Sequence, residues 1–247
     1  MIVKGIIFDV NGTLSDINTN EWHDDVYRVI SNLLSYQGMS LDPNVVKDMY
    51  FRIMKEQRAA TGERHPEFDV VGIFREIVKQ HSTDFTHGLQ NKKLEQLPRL
   101  LAETHRAASR FRLQLYPGVD ETLRQLHSKY RLAAVTDAQS AYAIPELDAV
   151  GLSGYFDPII VSGDFGYRKP DRRLFQAALD AMKMQASEVL FVGNDMYRDV
   201  FGAQKVGMKA VFFKSNQGTQ EKEGVKPDYS IFQFPELLTA VRFFEDQ

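Results

Sequence analysis

Short apolar runs rich in β-branched residues recur along this 247-residue chain, and most of them end abruptly in polar turn residues. Between the runs that follow residue 119 lie stretches with helical patterns, and a last helix is predicted from Pro235. Continuous apolar strands that alternate with helices are typical of a parallel sheet covered by helices on both faces. The sequence therefore predicts an α/β fold with a doubly wound, Rossmann-like parallel sheet. The predicted strands are 2–8, 131–136, 157–162, 188–193, 209–214 and a short one near 229–232, and the predicted helices between them are 119–128, 140–150, 171–183 and 198–206.

The segment between the first strand and the remaining ones has a different period. From about residue 20 to residue 110 its apolar residues recur at helical spacing, and no convincing strand pattern occurs there. Pro98 predicts that the last of these helices begins or kinks near it. The sequence therefore predicts an all-helical cap domain over 16–111, inserted into a discontinuous core domain formed by 1–15 and 112–247. The apolar stripes predicted to form the cap core include Trp22, Val26, Val29, Leu33, Met49 and Phe74.

Composition excludes several classes of protein. The chain contains no cysteine, which rules out a disulfide framework, a thiolate zinc site and a cysteine nucleophile. Its 30 Lys and Arg residues against 33 Asp and Glu residues give a net charge of −3, which argues against electrostatic binding of nucleic acid. No apolar run approaches the ~20 residues of a membrane span, and the N-terminus has no signal-peptide pattern. We expect a cytoplasmic protein with neither nucleic-acid nor membrane partners; the sequence does not specify its oligomeric state.

Charged and hydroxyl side chains follow the predicted strands. Asp9 ends the first strand, Thr136 the second, and Lys169 follows the third; Asp195 and Asp199 follow the fourth. The carboxyl ends of parallel strands meet at one edge of a sheet, so these residues are expected to converge. Carboxylates that lie so close together cannot all remain ionised without a cation, which points to Mg²⁺. The lysine and the threonine hydroxyl suit the oxygens of a phosphate group.

Four segments carry a resemblance to a known family. Residues 8–14 (FDVNGTL), 135–137 (VTD), 168–171 (RKPD) and 192–195 (VGND), the last continuing to Asp199, resemble the four motifs of the haloacid dehalogenase (HAD) superfamily in order and spacing. The helical segment falls where subfamily I of that superfamily inserts its C1 cap. The resemblance implies a Mg²⁺-dependent hydrolase, and a phosphatase of small phosphorylated metabolites is the leading interpretation.

The resemblance also assigns roles to individual residues. Asp9 matches the nucleophile that forms an aspartyl-phosphate, while Thr136 and Lys169 match the residues that hold the phosphoryl group. Asn11 occupies the position of the catalytic acid and base. The implied metal ligands are Asp9, the main chain of Asn11, Asp195 and Asp199, and the implied substrate-binding residues are Gly12, Thr13, Thr136, Asp137 and Lys169. Taken by themselves, Asp137 and its neighbours Gln139 and Ser140 are adjacent polar residues for which a solvated loop is the preferred interpretation.

Two positions depart from the family pattern. The usual second aspartate is Asn11, and an amide can neither protonate a leaving oxygen nor activate water, although its main-chain carbonyl can still bind a metal. Many relatives have Gly-Asp-Ser where this chain has Gly193-Asn194-Asp195. A hard dication prefers a charged oxygen, so we expect Asp195 rather than Asn194 to be the primary acidic ligand.

Two alternatives to a phosphatase remain open. One is a hydrolase of carbon–halogen or carbon–phosphorus bonds, because dehalogenases of this family also differ at the second aspartate and need no metal. The other is a catalytically reduced HAD-like protein that binds a phosphorylated ligand or a protein partner. The cap sets the substrate in this family, and the sequence of the cap helices does not indicate which substrate that is. Arg58, Arg64 and His65 lie in or beside a predicted cap loop that is either solvated or reaches over the active site.

Overall fold

The computed structural model describes residues 1–246 and contains a six-stranded parallel sheet. The strands lie side by side in the order β5-β4-β1-β6-β7-β8, so that β1 is central. Phe8, the last residue of β1, pairs with Ala134 on one side and with Val192 on the other. The strands are β1 (Gly5–Phe8), β4 (Arg131–Thr136), β5 (Ile159–Val161), β6 (Val189–Gly193), β7 (Lys209–Phe213) and β8 (Tyr229–Ile231).

Helices cover both faces of this sheet. Ile6 and Phe8 belong to a buried cluster with α6 (Val119–His127) and α10 (Leu237–Glu245). Ile7 points to the opposite face and packs with α8 (Arg172–Met182) and the short α9 (Gly202–Gln204). Alternate residues of a strand face opposite sides of its sheet, and a strand buried on both faces is therefore continuously apolar. The predicted doubly wound α/β fold is confirmed.

The helical insertion has a hydrophobic core of its own. Val26, Tyr50, Phe74 and Leu101 are each fully buried in one cluster, which also takes in Tyr142 from the core helix α7. The cap helices are α1 (Asp24–Tyr36), α2 (Pro43–Ala60), α3 (Val70–His81), α4 (Asp84–His87) and α5 (Asn91–Ser109), and α7 is Ser140–Ala149. The inserted helical cap is therefore present. The domain limits 16–111 for the cap and 1–15 with 112–247 for the core stay a proposal.

Two strands at the junction of cap and core escaped the sequence analysis. β2 (Ser15–Thr19) precedes the cap helices in the sequence and β3 (Arg110–Leu115) follows them, and the two strands form an antiparallel pair. Their residues are mostly polar or partly exposed, so neither shows the apolar run of a core strand. The cap helices separate the two strands in the sequence, so no local pattern predicts that they pair.

Other expectations for the helices need correction. Trp22 and Val29 are 63% and 39% exposed, so they lie outside the cap core, whereas Met49 and Phe74 are buried in it. The α5 helix begins at Asn91 and continues through Pro98. The predicted helix 198–206 is a π-helical turn over Met196–Phe201 followed by α9. Within residues 1–246, no helix has the length and apolar character needed to cross a membrane.

A buried histidine joins the cap to the core. His105 on α5 is fully buried, with its ring 4.4 Å from that of Tyr50. The Tyr27 hydroxyl donates to the main-chain oxygen of Glu21, so its oxygen is free to accept from Nε2 of His105, 3.4 Å away. Nδ1 of the histidine then accepts from the Tyr142 hydroxyl at 3.1 Å. Burial, with a smaller contribution from a neighbouring arginine, lowers the pKa of this histidine to about 3. The network therefore requires the neutral ring.

We predict that His105 makes the protein less stable in mild acid. Below pH 6.5 this histidine takes up a proton in the unfolded state, whereas in the folded state its ring stays neutral until the pH approaches about 3. The folded state therefore loses stability as the pH falls from about 6.5 towards 3. Urea denaturation of the wild type and of His105→Phe at pH 7.5 and 5.0 measures this effect. The free energy of unfolding of the wild type, relative to the variant, should be lower at pH 5.0 by about 2 kcal/mol. An equal difference at both pH values would mean that folded His105 is protonated normally.

Candidate active site

A buried lysine joins two carboxylates at the carboxyl edge of the sheet. The ammonium group of Lys169 donates to Oδ1 of Asp9 at 2.7 Å, to Oδ1 of Asp199 at 2.7 Å and to the main-chain oxygen of Val135 at 3.0 Å. The three charged side chains are at most 8% exposed. The predicted convergence of Asp9, Lys169 and Asp199 is therefore observed, and the residues come from the ends of three separate strands.

The charges in this cluster depend on one another. Burial alone would lower the pKa of Lys169, but the Asp199 and Asp9 carboxylates outweigh burial and raise that pKa above its ordinary value. Burial also raises the pKa of Asp199, an effect that the lysine only partly offsets. Two carboxylates beside one ammonium group leave a negative charge that the Arg198 guanidinium, which interacts with both carboxylates and with Asp195, balances only in part. Such an environment favours a further cationic group.

The loop after β1 holds the other oxygen of Asp9. Thr13 donates its hydroxyl to Oδ2 of Asp9 at 2.7 Å, and the same hydroxyl lies 3.3 Å from Oδ1 of Asn194. Gly12 has a φ of +88°, and a Cβ atom there would lie 2.3 Å from Nδ2 of Asn194. Only glycine permits both the backbone conformation and this close approach. The turn chemistry seen in the sequence thus places the β1 and β6 loops against each other.

Thr136 and Asp137 lie at the end of β4, next to this cluster. The Thr136 hydroxyl oxygen is buried and has no hydrogen-bond partner among the described residues. Asp137 accepts from the main-chain N–H of Lys169 at 2.9 Å, and its other oxygen lies 3.7 Å from the Arg168 guanidinium. With a side chain only 4% exposed, Asp137 is part of the site and not of a solvated loop. A buried hydroxyl without a partner is suited to an incoming oxygen.

The two candidate ligands after β6 face different groups. Both carboxylate oxygens of Asp195 are occupied by N–H donors, from the main chain of Tyr197, Arg198 and Thr219 and from the Arg198 side chain. Burial opposes ionisation, but these hydrogen bonds and the guanidinium lower the pKa of Asp195 below its ordinary value. Asn194, in contrast, directs its amide oxygen towards the Thr13 hydroxyl beside Asp9. The expectation that Asp195 is the primary metal ligand is not favoured by this geometry.

The oxygen atoms around Asp9 are compatible with a magnesium ion. Asp9 supplies a carboxylate and Asn194 an amide oxygen, and Mg²⁺ takes one or two carboxylates together with neutral oxygens, water and phosphate. Within the described part of the chain, no three Asp, Glu or His side chains cluster closely enough to hold a metal by themselves. The donor set fits the ion but carries less negative charge than the three carboxylates predicted from the sequence.

A cavity of about 380 Å³ lies between the core and the cap. The core contributes Asn11 and Asp137, and the cap contributes the aromatic pair Trp22 and Phe51, whose rings stack at 3.7 Å. Asn11 accepts a hydrogen bond from the Ser15 hydroxyl at 3.2 Å through its amide oxygen. The exposed Trp22 thus forms a wall of the cavity, which explains its departure from the buried stripe of α1.

The cap loop that closes this cavity is fixed to the core. Glu67 accepts a hydrogen bond from the Ser162 hydroxyl at 2.8 Å and is only 3% exposed. Gln139 accepts from the main-chain N–H of Val70 at 3.0 Å and donates to the main-chain oxygen of Phe68 at 2.6 Å. The sequence analysis missed this function of Gln139, Ser162 and Glu67. Their positions after β4, after β5 and in a cap loop were visible, but their pairing was not.

The sequence analysis did not place Glu21 in this cavity and left the position of Arg58 open. Glu21 lines it, and burial raises the pKa of its carboxyl group despite the nearby Arg106. Arg58 also lines it, so the alternative of a wholly solvated cap loop is wrong for this residue. Arg64 and His65 line a separate cavity on the other side of the loop.

Comparison with known proteins defines the class of this site. The family model described as haloacid dehalogenase-like hydrolase matches residues 6–213. The chain belongs to this family, as its motifs predicted, and it is a hydrolase. Among curated relatives, the glyceraldehyde 3-phosphate phosphatase of Pyrococcus furiosus is 28% identical, with 97% of this chain and 93% of that protein covered.

Solved structures share the fold over nearly the full length. A 2-haloacid dehalogenase from Pseudomonas syringae has a TM-score of 0.68 at 20% identity, with 98% of this chain and 100% of that chain covered. The HAD-hydrolase YfnB from Bacillus subtilis, described as bound to magnesium, has a TM-score of 0.57 at 22% identity and coverages of 98% and 99%. At such identities these likenesses establish the fold alone.

Proposed function

We propose that this protein is a phosphatase of small phosphorylated metabolites that acts through Asp9. The observation that carries the proposal is the buried Asp9 carboxylate, which is oriented by Lys169 and Thr13 next to the unpartnered Thr136 hydroxyl. A nucleophile fixed by one charged and one neutral donor is held in place before substrate arrives. The phosphatase name of the Pyrococcus furiosus relative supports the same reaction.

The proposed reaction has two steps. The Asp9 carboxylate attacks phosphorus while the bond to the leaving oxygen breaks, which gives an aspartyl-phosphate and an oxyanion leaving group that takes up a proton from water. Water then attacks the phosphorus of this intermediate, releases inorganic phosphate and regenerates Asp9. In both steps Lys169 and Thr136 stabilise the negative charge on the phosphoryl oxygens, which is the main contribution of a protein to phosphoryl transfer.

We also propose that the site holds Mg²⁺ through the Asp9 carboxylate, the main-chain oxygen of Asn11 and the Asn194 amide oxygen. The ion would neutralise charge on the transferring phosphoryl group. Asp199 contributes by keeping Lys169 beside Asp9, to which the ammonium group is also bonded. Asp195 instead caps the π-helical turn, because its oxygens accept hydrogen bonds from that turn and from Thr219.

Asn11 limits which substrates such an enzyme can hydrolyse quickly. General acid–base catalysis contributes about 10²–10⁴-fold, and an amide supplies none of it. Substrates whose leaving group departs without a proton, such as aryl and acyl phosphates, should therefore react faster than alkyl phosphates. The same residue is the feature that favours the second candidate function, a catalytically reduced HAD-like protein that binds a phosphorylated ligand.

Substitution of the proposed nucleophile should abolish phosphatase activity. Asp9→Asn retains the shape of the side chain but removes covalent catalysis, so phosphate release from a panel of aryl, acyl and alkyl phosphates should fall by several orders of magnitude. Asp148→Asn, an exposed helix position, is the matched control and should have wild-type activity. Circular dichroism checks that both variants are folded. Retention of activity within about tenfold of wild type would place the chemistry on another residue. Metal-independent release of halide from haloacids would instead support the dehalogenase alternative.

Magnesium should be required, and Asn194 should set its affinity. EDTA is expected to abolish hydrolysis and Mg²⁺ to restore it. Asn194→Asp adds a charged oxygen and should lower the Mg²⁺ concentration for half-maximal activity by about tenfold. Asp195→Asn should leave that concentration unchanged while lowering the melting temperature, because its carboxylate holds N–H donors of the protein. The reverse pattern would show that Asp195 is the ligand.

Restoring the carboxylate at position 11 should accelerate the enzyme. In Asn11→Asp, the new side chain can still accept the hydrogen bond from Ser15, and it adds a group that transfers protons. Turnover of alkyl phosphates should rise by at least about tenfold, a fraction of the full acid–base contribution. Asn18→Asp, on an exposed position of β2, is the control. A rapid-quench experiment should also show a larger burst of covalent intermediate in the wild type than in the variant. Unchanged or lower turnover would contradict the proposed limitation.

A further inference from the structure

We propose that the cavity between cap and core binds a second anionic group of the substrate, a carboxylate or a second phosphate, between the guanidinium groups of Arg58 and Arg168. This inference rests on the proposed phosphatase function and narrows its substrate class to small phosphate monoesters that carry a further negative charge. Arg58 approaches the cavity from the cap and Arg168 from the core, and both line it. Neither residue takes part in the reaction at Asp9.

Arg58 has hydrogen-bond donors that its neighbours do not use. Its nearest carboxylate is that of Glu67, and the 3.8 Å separation exceeds a hydrogen bond. Glu67 directs its two oxygens elsewhere, to the Ser162 hydroxyl and to the main-chain N–H of Phe68. Nε of Arg58 is buried and has no partner in the part of the chain that the structure describes. A buried guanidinium N–H without an acceptor is costly unless a ligand supplies one.

The surroundings of Arg58 also fix its orientation. The guanidinium lies over the ring of Phe68, 4.8 Å from the ring centre, and the side chain is one-third exposed. Stacking on an aromatic face restricts a guanidinium while leaving its N–H groups free to donate in the plane. Arg58, near the C-terminal end of α2, is therefore held against the loop that Gln139 fixes to the core.

Arg168 provides the second cation from the opposite side. Its Nε lies 3.7 Å from Oδ2 of Asp137, too far for a hydrogen bond, and its side chain is about one-third exposed. The main-chain N–H of Arg168 donates to the main-chain oxygen of His65 at 2.9 Å. This bond brings the backbone of Arg168 against the same cap loop that carries the ring under Arg58. The packing of the cap loop against the core thus places the two guanidinium groups on one cavity.

The carboxylates nearest to these arginines, Glu67 at 3.8 Å from Arg58 and Asp137 at 3.7 Å from Arg168, form ion pairs with them but accept no hydrogen bond from them. Arg106 is engaged by Glu146 of α7, with N···O distances of 2.7 and 3.2 Å. Glu21 lies 3.7 Å from Arg106, and burial raises the pKa of its carboxyl group, which weakens its competition for a cation. A cavity of about 380 Å³ is small for a ligand site, since such sites span roughly 300–1,000 Å³. It suits a molecule of metabolite size in which the two anionic groups are close together.

Three phosphate esters on one carbon skeleton test the proposal. 3-Hydroxypropyl phosphate has a neutral tail, 3-phosphonooxypropanoate has a carboxylate and propane-1,3-diyl bisphosphate has a second phosphate, while the reacting ester is the same in all three. The wild type should hydrolyse at least one of the doubly anionic esters with a kcat/KM about tenfold or more above that of the neutral one. Which of the two is preferred identifies the anion. A wild type that hydrolyses all three equally well would overturn the proposal.

Variants separate anion binding from a structural role. Arg58→Gln should raise the KM of the preferred doubly anionic ester by about tenfold or more, whereas the kcat/KM for the ester with the neutral tail should stay within about twofold of the wild-type value. Arg58→Lys should recover part of the loss, because it keeps the charge. Arg64→Gln, six residues further along and outside this cavity, should match the wild type. An equal loss on all three esters would show that Arg58 only supports the fold of the cap.

A binding measurement keeps this inference distinct from the proposed reaction. If no phosphate ester is hydrolysed, the phosphatase proposal fails, and isothermal titration of 3-phosphonooxypropanoate and of the bisphosphate into the wild type and Arg58→Gln then decides the inference alone. Binding of either compound that weakens by about tenfold in the variant would support the anion site. Equal binding to both proteins, or none to the wild type, would overturn it.

Discussion

The contact of Lys169 with both Asp9 and Asp199 is the interaction on which the site depends. Two buried carboxylates this close repel each other strongly at low dielectric, and one ammonium group placed between them makes the arrangement possible. The contact also joins the ends of β1 and β6 to the segment after β5. The ammonium charge that orients Asp9 therefore also holds together the edge of the sheet at which we propose that substrate binds.

The cap is the second determinant of function, because it encloses the space beside that edge. It reaches the core through backbone and side-chain contacts of one loop, through the paired strands β2 and β3, and through the aromatic network centred on His105 and Tyr142. These contacts position Arg58 and Trp22 over the cavity. In the proposed function, the reacting carboxylate of Asp9 comes from the core and Arg58 of the anion site comes from the cap, so substrate preference can change without altering the reacting groups.

Most of the fold and the convergence of Asp9, Lys169 and Asp199 could be predicted from the sequence. The inner strands β1, β4 and β6 are recognisable because they are buried on both faces, and Asp9, Lys169 and Asp199 are recognisable because parallel strands bring their ends together. The choice between Asn194 and Asp195 was not predictable in this way. Charge favoured Asp195, but hydrogen bonds from the turn and from the distant Thr219 occupy its oxygens. Which side chain of a pair faces the site depends on the conformation of the turn, and a π-helical turn has no clear sequence signal.

The sequence by itself determined the sheet, the helical nature of the insertion and the identity of the groups at the strand ends, because these follow from local periodicity and from chain order. Only the tertiary structure decided the partners of residues far apart in sequence. The pairing of β2 with β3 across the cap, the burial of Asp137 and the fixing of the cap loop by Gln139 are of this kind. Each depends on how two separately folded surfaces meet. The free energy of such a contact depends on both surfaces, so the sequence of either segment alone has no pattern that predicts the contact.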